Sequence, residues 1–216
     1  MRLVTLPGVF RPPSDSWLLA DLVRDDGLAD GASVLDVFTG SGVLAVASAL
    51  AGASQVTAVD VSRRALLTTR LNARLNRVEV ETVRGDVFEP VAGRRFDLIL
   101  ANPPYVPGES DELPAHGVRR AWEAGRDGRA LLDRFCPHAA AHLAPSGRVL
   151  IVQSSLSGER ATVDQLSRSG LDTRVVTRRR GPLGPIVARR AAQLEARGLL
   201  PPGEREEDLL VIEGRR

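Results

Sequence analysis

A chain of 216 residues with 43% hydrophobic content is enough for one domain with a sizeable core, and a formal net charge of only +2 says little about partners. All 29 basic residues are arginine, which reads as a compositional habit even with a sequence pI near 9.4. The single cysteine excludes an internal disulfide framework, and neither a secretory leader nor a run of ~18 apolar residues is present, so a cytoplasmic location is expected.

Met1 to Phe10 reads as an arm, broken at Arg11-Pro12-Pro13. Ser14 or Asp15 can cap a helix to about Arg24, with Trp17, Leu18, Leu19, Leu22 and Val23 as its apolar face. Ser33 to Phe38 reads as a buried strand, Thr39-Gly40-Ser41-Gly42 as a tight turn, and Val43 to Ala51 as a small-residue helix. Strand, glycine turn and helix open a nucleotide-binding α/β fold. Gln55 to Val59 is the second strand, ending at Asp60. Ser62 to about Leu75 is an amphipathic helix with Leu66, Leu67, Leu71 and Leu75.

Val78 to Val83 is the third strand, followed by Gly85-Asp86-Val87, and the fourth runs from Phe96 to its end at Asn102. Asn102-Pro103-Pro104-Tyr105 stops it, because proline cannot donate to a ladder and holds the residue before it extended. That stiff loop belongs at the carboxyl end of a buried strand, where open α/β sheets bind ligands. The Asn102 carboxamide oxygen and the Pro103 carbonyl can accept the two N–H bonds of a flat NH₂-bearing group while the Tyr105 ring packs on its face.

Pro107 to Gly128 is a long polar loop of the kind that is functional or disordered. Asp127 to about His142 is expected to be helical, Arg148 to Gln153 a strand, Gly158 to Ser169 a helix and Leu171 to Thr177 a strand. Residues 178–207 form an insertion with one helix, Pro185 to Arg197, and an acid-rich linker, before the closing strand Leu209 to Ile212. Alternating strands and helices predict an α/β fold, a doubly wound, mainly parallel seven-stranded sheet with the last strand antiparallel, in one domain over residues 1–216, of which 1–30 are arm and first helix.

Three acids stand at the ends of three successive strands. Asp36 lies near the end of the first, Asp60 follows about 24 residues later, and Asp86 follows the third. Asp60 can accept from ribose hydroxyls and Asp86 from an adenine NH₂, so the set favours an adenosyl ligand. An acid at position 36, just before the glycine turn, repels a pyrophosphate and attracts the cationic groups of S-adenosylmethionine, which disfavours NAD.

On these residues the sequence resembles the class I S-adenosylmethionine (SAM) methyltransferases, and among them the HemK-like glutamine N5-methyltransferases of translation release factors, in the archaeal and eukaryotic-type branch. The segment Val9 to Leu19 is similar to that branch's Tyr-x-Pro-x-x-Asp-Thr-x-x-Leu opening, Asp36 to Gly42 to the cofactor loop, Asn102 to Tyr105 to the substrate motif, and Gly117 to Arg129 to an Ala-Trp-x-x-Gly-x-Asp-Gly run. The likeness spans roughly residues 9–156. It implies SAM as cofactor, with Ser16, Asp36, Phe38, Gly40, Gly42, Asp60, Asp86, Val87 and Asn102 around it. It places Asn102, Pro103, Pro104, Tyr105 and Trp122 at the substrate, with Asn102, Pro103 and Tyr105 carrying the chemistry. Ser16 replaces the family Thr and keeps the hydroxyl; Phe10 replaces Tyr and loses one. Phe38 replaces the first glycine of the loop and narrows the approach to the methionine moiety. The helical N-terminal domain of the bacterial form is not expected here.

The implied function is methylation of a glutamine side-chain amide of a release factor, by in-line placement and without a strong general base. Alternatives are an adenine or guanine amino methyltransferase acting on RNA or DNA, which normally shows a basic face or recognition module, and a non-catalytic partner subunit. In the resembling branch a small zinc-binding protein adds to the sheet edge, for which Val78 to Val83 is the expected strand. No metal site is assigned: Cys136, His138 and His142 share one helix and read as packing residues. His116 reads as a surface residue ahead of a substrate contact, and Arg178 to Arg180 as a solvated turn ahead of an RNA contact. Trp17 reads as a packing residue, and Trp122 equally as packing or pocket wall.

Overall fold

A computed structural model of the chain describes residues 1–12, 14–115 and 117–216. Pro13 of the opening segment and His116 lie outside the described residues. Seven strands form one sheet in the order β3-β2-β1-β4-β5-β7-β6. Strand β1 (Ser33–Val37) lies centrally and pairs parallel with β2 (Gln55–Asp60) and β4 (Phe96–Ala101). The edge strand β3 (Glu81–Arg84) pairs parallel with β2, and β5 (Leu143–Ser154) parallel with β4. Only β7 (Glu206–Arg215) is antiparallel, between β5 and β6 (Asp172–Pro182). The architecture is the expected doubly wound α/β sheet.

Alternation along the strands buries both faces. Leu35, Ile99 and Ile151 point to one layer, where Phe135 of helix α4 (Leu132–Ala139) and Leu166 of α5 (Glu159–Arg168) pack. Val34, Leu98, Leu150 and Val211 point to the other, against Leu19 of α1 (Ser14–Asp25) and Leu44 of α2 (Val43–Leu50). Helix α3 (Arg63–Asn76) starts where Ser62 Oγ accepts from Ala65 N at 3.3 Å, and it ends at Arg77, which takes φ 57°. The Val78 amide closes that cap on Ala73 O at 3.1 Å. Residues 78–80 thereby belong to the helix exit, and the third strand begins at Glu81 instead of Val78.

Three further expectations are corrected. Helix α4 starts at Leu132, not Asp127, because Asp127 Oδ1 accepts from Arg129 N at 2.9 Å and Gly128 takes φ 74°, a turn that excludes helix. The insertion shrinks to residues 183–205. Arg178 pairs with Asp208 at 2.9 Å and Arg180 with Glu206 at 3.0 Å, which extends β6 and β7 into one long hairpin. Its single expected helix is two, α6 (Pro185–Arg189) and α7 (Ala191–Ala196), broken at Arg190. The Arg190 guanidinium reaches Pro107 O at 2.9 Å and also pairs with Glu123, so the break ties the insertion to the loop after β4.

Backbone pairing joins the two described limbs of that loop. Val106 N donates to Trp122 O at 2.7 Å, Ala124 N to Val106 O at 3.1 Å, and Gly108 N to Gly125 O at 2.7 Å. Val106, Leu183, Val187, Leu194 and Leu200 form a third apolar cluster between loop and insertion. No helix of the described residues is long and apolar enough to cross a membrane.

Candidate functional site

Register brings the carboxyl ends of the central strands to one rim. Val37 lies beside both Val59 and Ala101, and Asp60 beside Arg84. Phe38, Asp60, Asp86 and Asn102 therefore converge although up to 64 residues separate them. They open onto a cavity of about 980 Å³, with Ser16, Gly40, Val87, Trp122 and the double-proline motif on its wall. Small-molecule sites run to roughly 300–1,000 Å³, so this one has room for a nucleoside ligand and a side chain together.

The turn after β1 is built by acids beneath and beside it. Asp60 Oδ2 accepts from Gly40 N at 3.0 Å and Oδ1 from Ser62 N at 2.8 Å, and the residue still faces the cavity. Asp36 is 1% exposed; its Oδ2 accepts from Thr39 Oγ1 at 2.6 Å and Ala45 N at 3.0 Å. Asp36 is not on the cavity wall; its Oδ2 braces the turn against the start of α2. Gly42 is likewise off the wall. With φ 79°, a Cβ there would lie 2.7 Å from Thr69 Cγ2, so the glycine serves the packing of turn on α3.

Two wall residues carry backbone strain. Phe38 takes φ 64° and Val87 φ 47°, conformations that bulky and β-branched side chains rarely adopt. The Phe38 ring is held against Phe135 at a centroid distance of 6.1 Å. Asp86, expected to meet an adenine, forms an ion pair with Arg134, which also lines the cavity. An amino group there would share the carboxylate with a guanidinium.

At the other end of the cavity, Asn102 Nδ2 donates to Ser16 Oγ at 2.7 Å. Among the described residues, neither Asn102 Oδ1 nor the Pro103 carbonyl accepts a protein hydrogen bond. The Tyr105 hydroxyl donates to Asp15, and its carbonyl accepts from Ser157 Oγ at 2.9 Å. Trp122 packs on Phe10 with ring centroids 5.3 Å apart, and its indole N–H has no acceptor among the described residues. Sequence reasoning missed Asp15 as a site residue, treating it as a helix cap. Glu207 and Arg134 were missed too, since nothing local marks them. Cys136 is fully buried, its thiol pushed up to about 12, and His142 stacks on Phe88 at 4.3 Å. No group of three or more metal-ligating side chains occurs among the described residues.

Burial raises three carboxylates of the site. Asp36 is pushed up to about 7, with the Asp60 charge adding to burial and the Thr39 and Ala45 bonds opposing it. Asp15 and Asp60 are shifted upward by burial as well. A folded-state pKa above the unfolded value of ~3.9 means that the folded protein binds the proton more tightly. The stability tied to Asp36 is therefore full below pH ~4 and falls as pH rises to about 7. The loss at Asp36 is at most ~4 kcal/mol. Urea unfolding at pH 5 and pH 8 is expected to show a smaller pH difference in Asp36→Asn than in the wild type. Equal differences would refute this account.

A family model described as the methyltransferase small domain matches residues 1–121. The chain is 35% identical over 194 residues to a Methanocaldococcus jannaschii protein named as a protein N5-glutamine methyltransferase, covering 90% of this chain and 96% of that one. It is 35% identical over 176 residues to the release factor glutamine methyltransferase of Gloeobacter violaceus, covering 77% of this chain and 60% of that protein. The E. cuniculi Mtq2–Trm112 complex, described as responsible for methylation of the eRF1 translation termination factor, shares the fold, with TM-score 0.65 and 22% identity over 97% of this chain and 99% of that one. A glycine turn braced by two strand-end acids, two unpaired acceptors among the described residues at the switch point of the sheet, and this kinship lead to one conclusion: the chain belongs to the methyltransferase small domain family.

Proposed function

We propose that this methyltransferase moves the methyl group of SAM to the side-chain amide nitrogen of a glutamine in a translation release factor. The observation that carries the reading is the pair of unused acceptors, Asn102 Oδ1 and Pro103 O, on the wall of a cavity that also holds Asp60 and Gly40. Two acceptors on rigid backbone match the two N–H groups of a primary amide. The names of the relatives, glutamine and release factor methyltransferases, support the same acceptor. The residues present fit the donor: Asp60 retains lone pairs for ribose hydroxyls, and Ser16 Oγ keeps its proton to donate.

An amide nitrogen is a weak nucleophile because its lone pair is delocalised. The sulfonium supplies the activated methyl, so the protein's task is alignment, worth as much as ~7–11 kcal/mol. Accepting both N–H bonds also raises electron density on nitrogen and eases the later proton loss. Labelled methyl transfer to purified release factor, set against bulk tRNA and rRNA, tests the acceptor. Label in the release factor is expected; label confined to RNA would favour nucleobase methylation instead.

A small partner at the sheet edge is part of the proposal. The four-residue β3 is that edge, shorter than expected, and Leu67, Leu71 and Leu75 stand 54%, 37% and 42% exposed on the adjoining α3. Replacing all three leucines by Gln is expected to abolish co-purification of such a partner; unchanged pairing would remove this surface from consideration.

A further inference from the structure

The acceptor motif is tied to the N-terminal helix by one carboxylate. Asp15, in the first turn of α1, is 3% exposed and has no ion-pair partner among the described residues. Its Oδ2 accepts from the Tyr105 hydroxyl and its Oδ1 from Ser16 N at 2.6 Å. Ser16 Oγ in turn accepts from Asn102 Nδ2, which also faces the Asp15 carboxylate. Both ends of the Asn102 to Tyr105 loop thus converge on the same turn of helix.

Burying an acid without a cation costs folding free energy, which the helix N-terminus offsets only in part. Helix α1 has an ample apolar face in Leu18, Leu19 and Val23, so it does not need a buried acid to dock. The network has a directional consequence instead. With Nδ2 turned to Ser16 and Asp15, the Asn102 carboxamide presents its oxygen to an incoming NH₂ group. With its hydroxyl committed to Asp15, the Tyr105 ring cannot swing about the loop.

We propose that Asp15 is a positioning residue for methyl transfer, acting through Tyr105 and, by way of Ser16, on Asn102. The proposal rests on the amide-acceptor reading above. The groups facing the Tyr105 hydroxyl are Asp15 from α1 and Glu207 from β7; Glu207, 7% exposed, is itself held by Ser154 Oγ and by Gly184 N at 2.7 Å. Asp15 is the one that takes the hydroxyl proton as a hydrogen bond.

Tyr105 is the single tyrosine of the chain, so alkaline absorbance titration reads this one group. Burial and the two carboxylates raise its ionisation well above the ordinary value. Asp15→Asn is expected to move that ionisation to lower pH. It is also expected to lower kcat for release factor methylation by ~10- to 100-fold, the scale of a small misplacement at a reacting centre, while SAM affinity changes by less than about threefold. Tyr105→Phe should lose a similar factor, and the double variant should lose little more than either single one. Near-normal turnover of Asp15→Asn, or losses that multiply in the double variant, would overturn the proposal. Should Asp15→Asn not fold, Tyr105→Phe decides: reduced kcat at unchanged SAM affinity supports the coupling, and undiminished kcat rejects it. If the wild type transfers nothing to release factor, the acceptor reading fails on its own. The titration then decides the Asp15–Tyr105 link, and an unchanged curve in Asp15→Asn rejects it.

Discussion

Asn102→Ala is expected to reduce methyl transfer by ~10²- to 10³-fold while SAM still binds, the magnitude seen when one preorganised hydrogen-bonding group is removed from a reacting centre. The substitution deletes one of the two acceptors and leaves the Pro103 carbonyl alone, so the acceptor amide can rotate about a single bond. It also releases Ser16 Oγ, whose partner at 2.7 Å is lost, at ~1 kcal/mol of stability. Single-turnover methylation at saturating SAM, with calorimetry for SAM affinity, separates the two effects. A turnover within threefold of wild type would remove Asn102 from the chemistry and take the amide-acceptor reading with it.

Gly128→Ala is the second large effect, and it arises from backbone contact alone. Gly128 takes φ 74°, and an added Cβ would sit 2.3 Å from the Tyr105 carbonyl oxygen and 3.2 Å from Pro107 Cδ. That carbonyl is pinned by Ser157 Oγ at 2.9 Å and cannot retreat without breaking the bond. Left-handed strain and overpacking together predict a loss of about 2–4 kcal/mol. The displaced atom belongs to the acceptor motif, so kcat is expected to drop at least tenfold with SAM affinity nearly kept. Gly93→Ala is the control. Its φ is 78°, yet nothing lies within 4 Å of the added Cβ, so it carries the strain alone, about 1–2 kcal/mol. Equal unfolding free energies for the two variants would show that the Tyr105 contact contributes nothing.

Both predictions concern contacts that join distant segments, and this is where sequence reading weakens. The double proline after an apolar run marks a strand end by covalent restriction, and the observed β4 stops at Ala101, one residue before the expected end at Asn102. Ser62 announces α3, and Asp60 closes β2 on the rim, because caps and strand ends are local events. Asp36 shows the opposite case. Its position in the strand suggested a charge towards a ligand, but nothing there announced that the neighbours at 39 and 45 both bond its Oδ2. Which hydrogen bond an acid makes depends on what folds around it. The same holds for Asp15, an apparent helix cap until Tyr105 arrives from 90 residues away.

The alternation of apolar runs with turns and helices by itself determined the doubly wound sheet, the glycine turn and the acceptor motif, because these follow from backbone restriction and side-chain periodicity within about ten residues. Tertiary structure alone decided that Asp36 braces the turn through Thr39 and Ala45, that Arg190 breaks the insertion helix to grip the loop at Pro107, and that Asp15 meets Tyr105. Those outcomes turn on burial and on partners brought together by strand order. A carboxylate or guanidinium spends its hydrogen bonds on whatever the fold sets within 3 Å, and no local pattern encodes that distance.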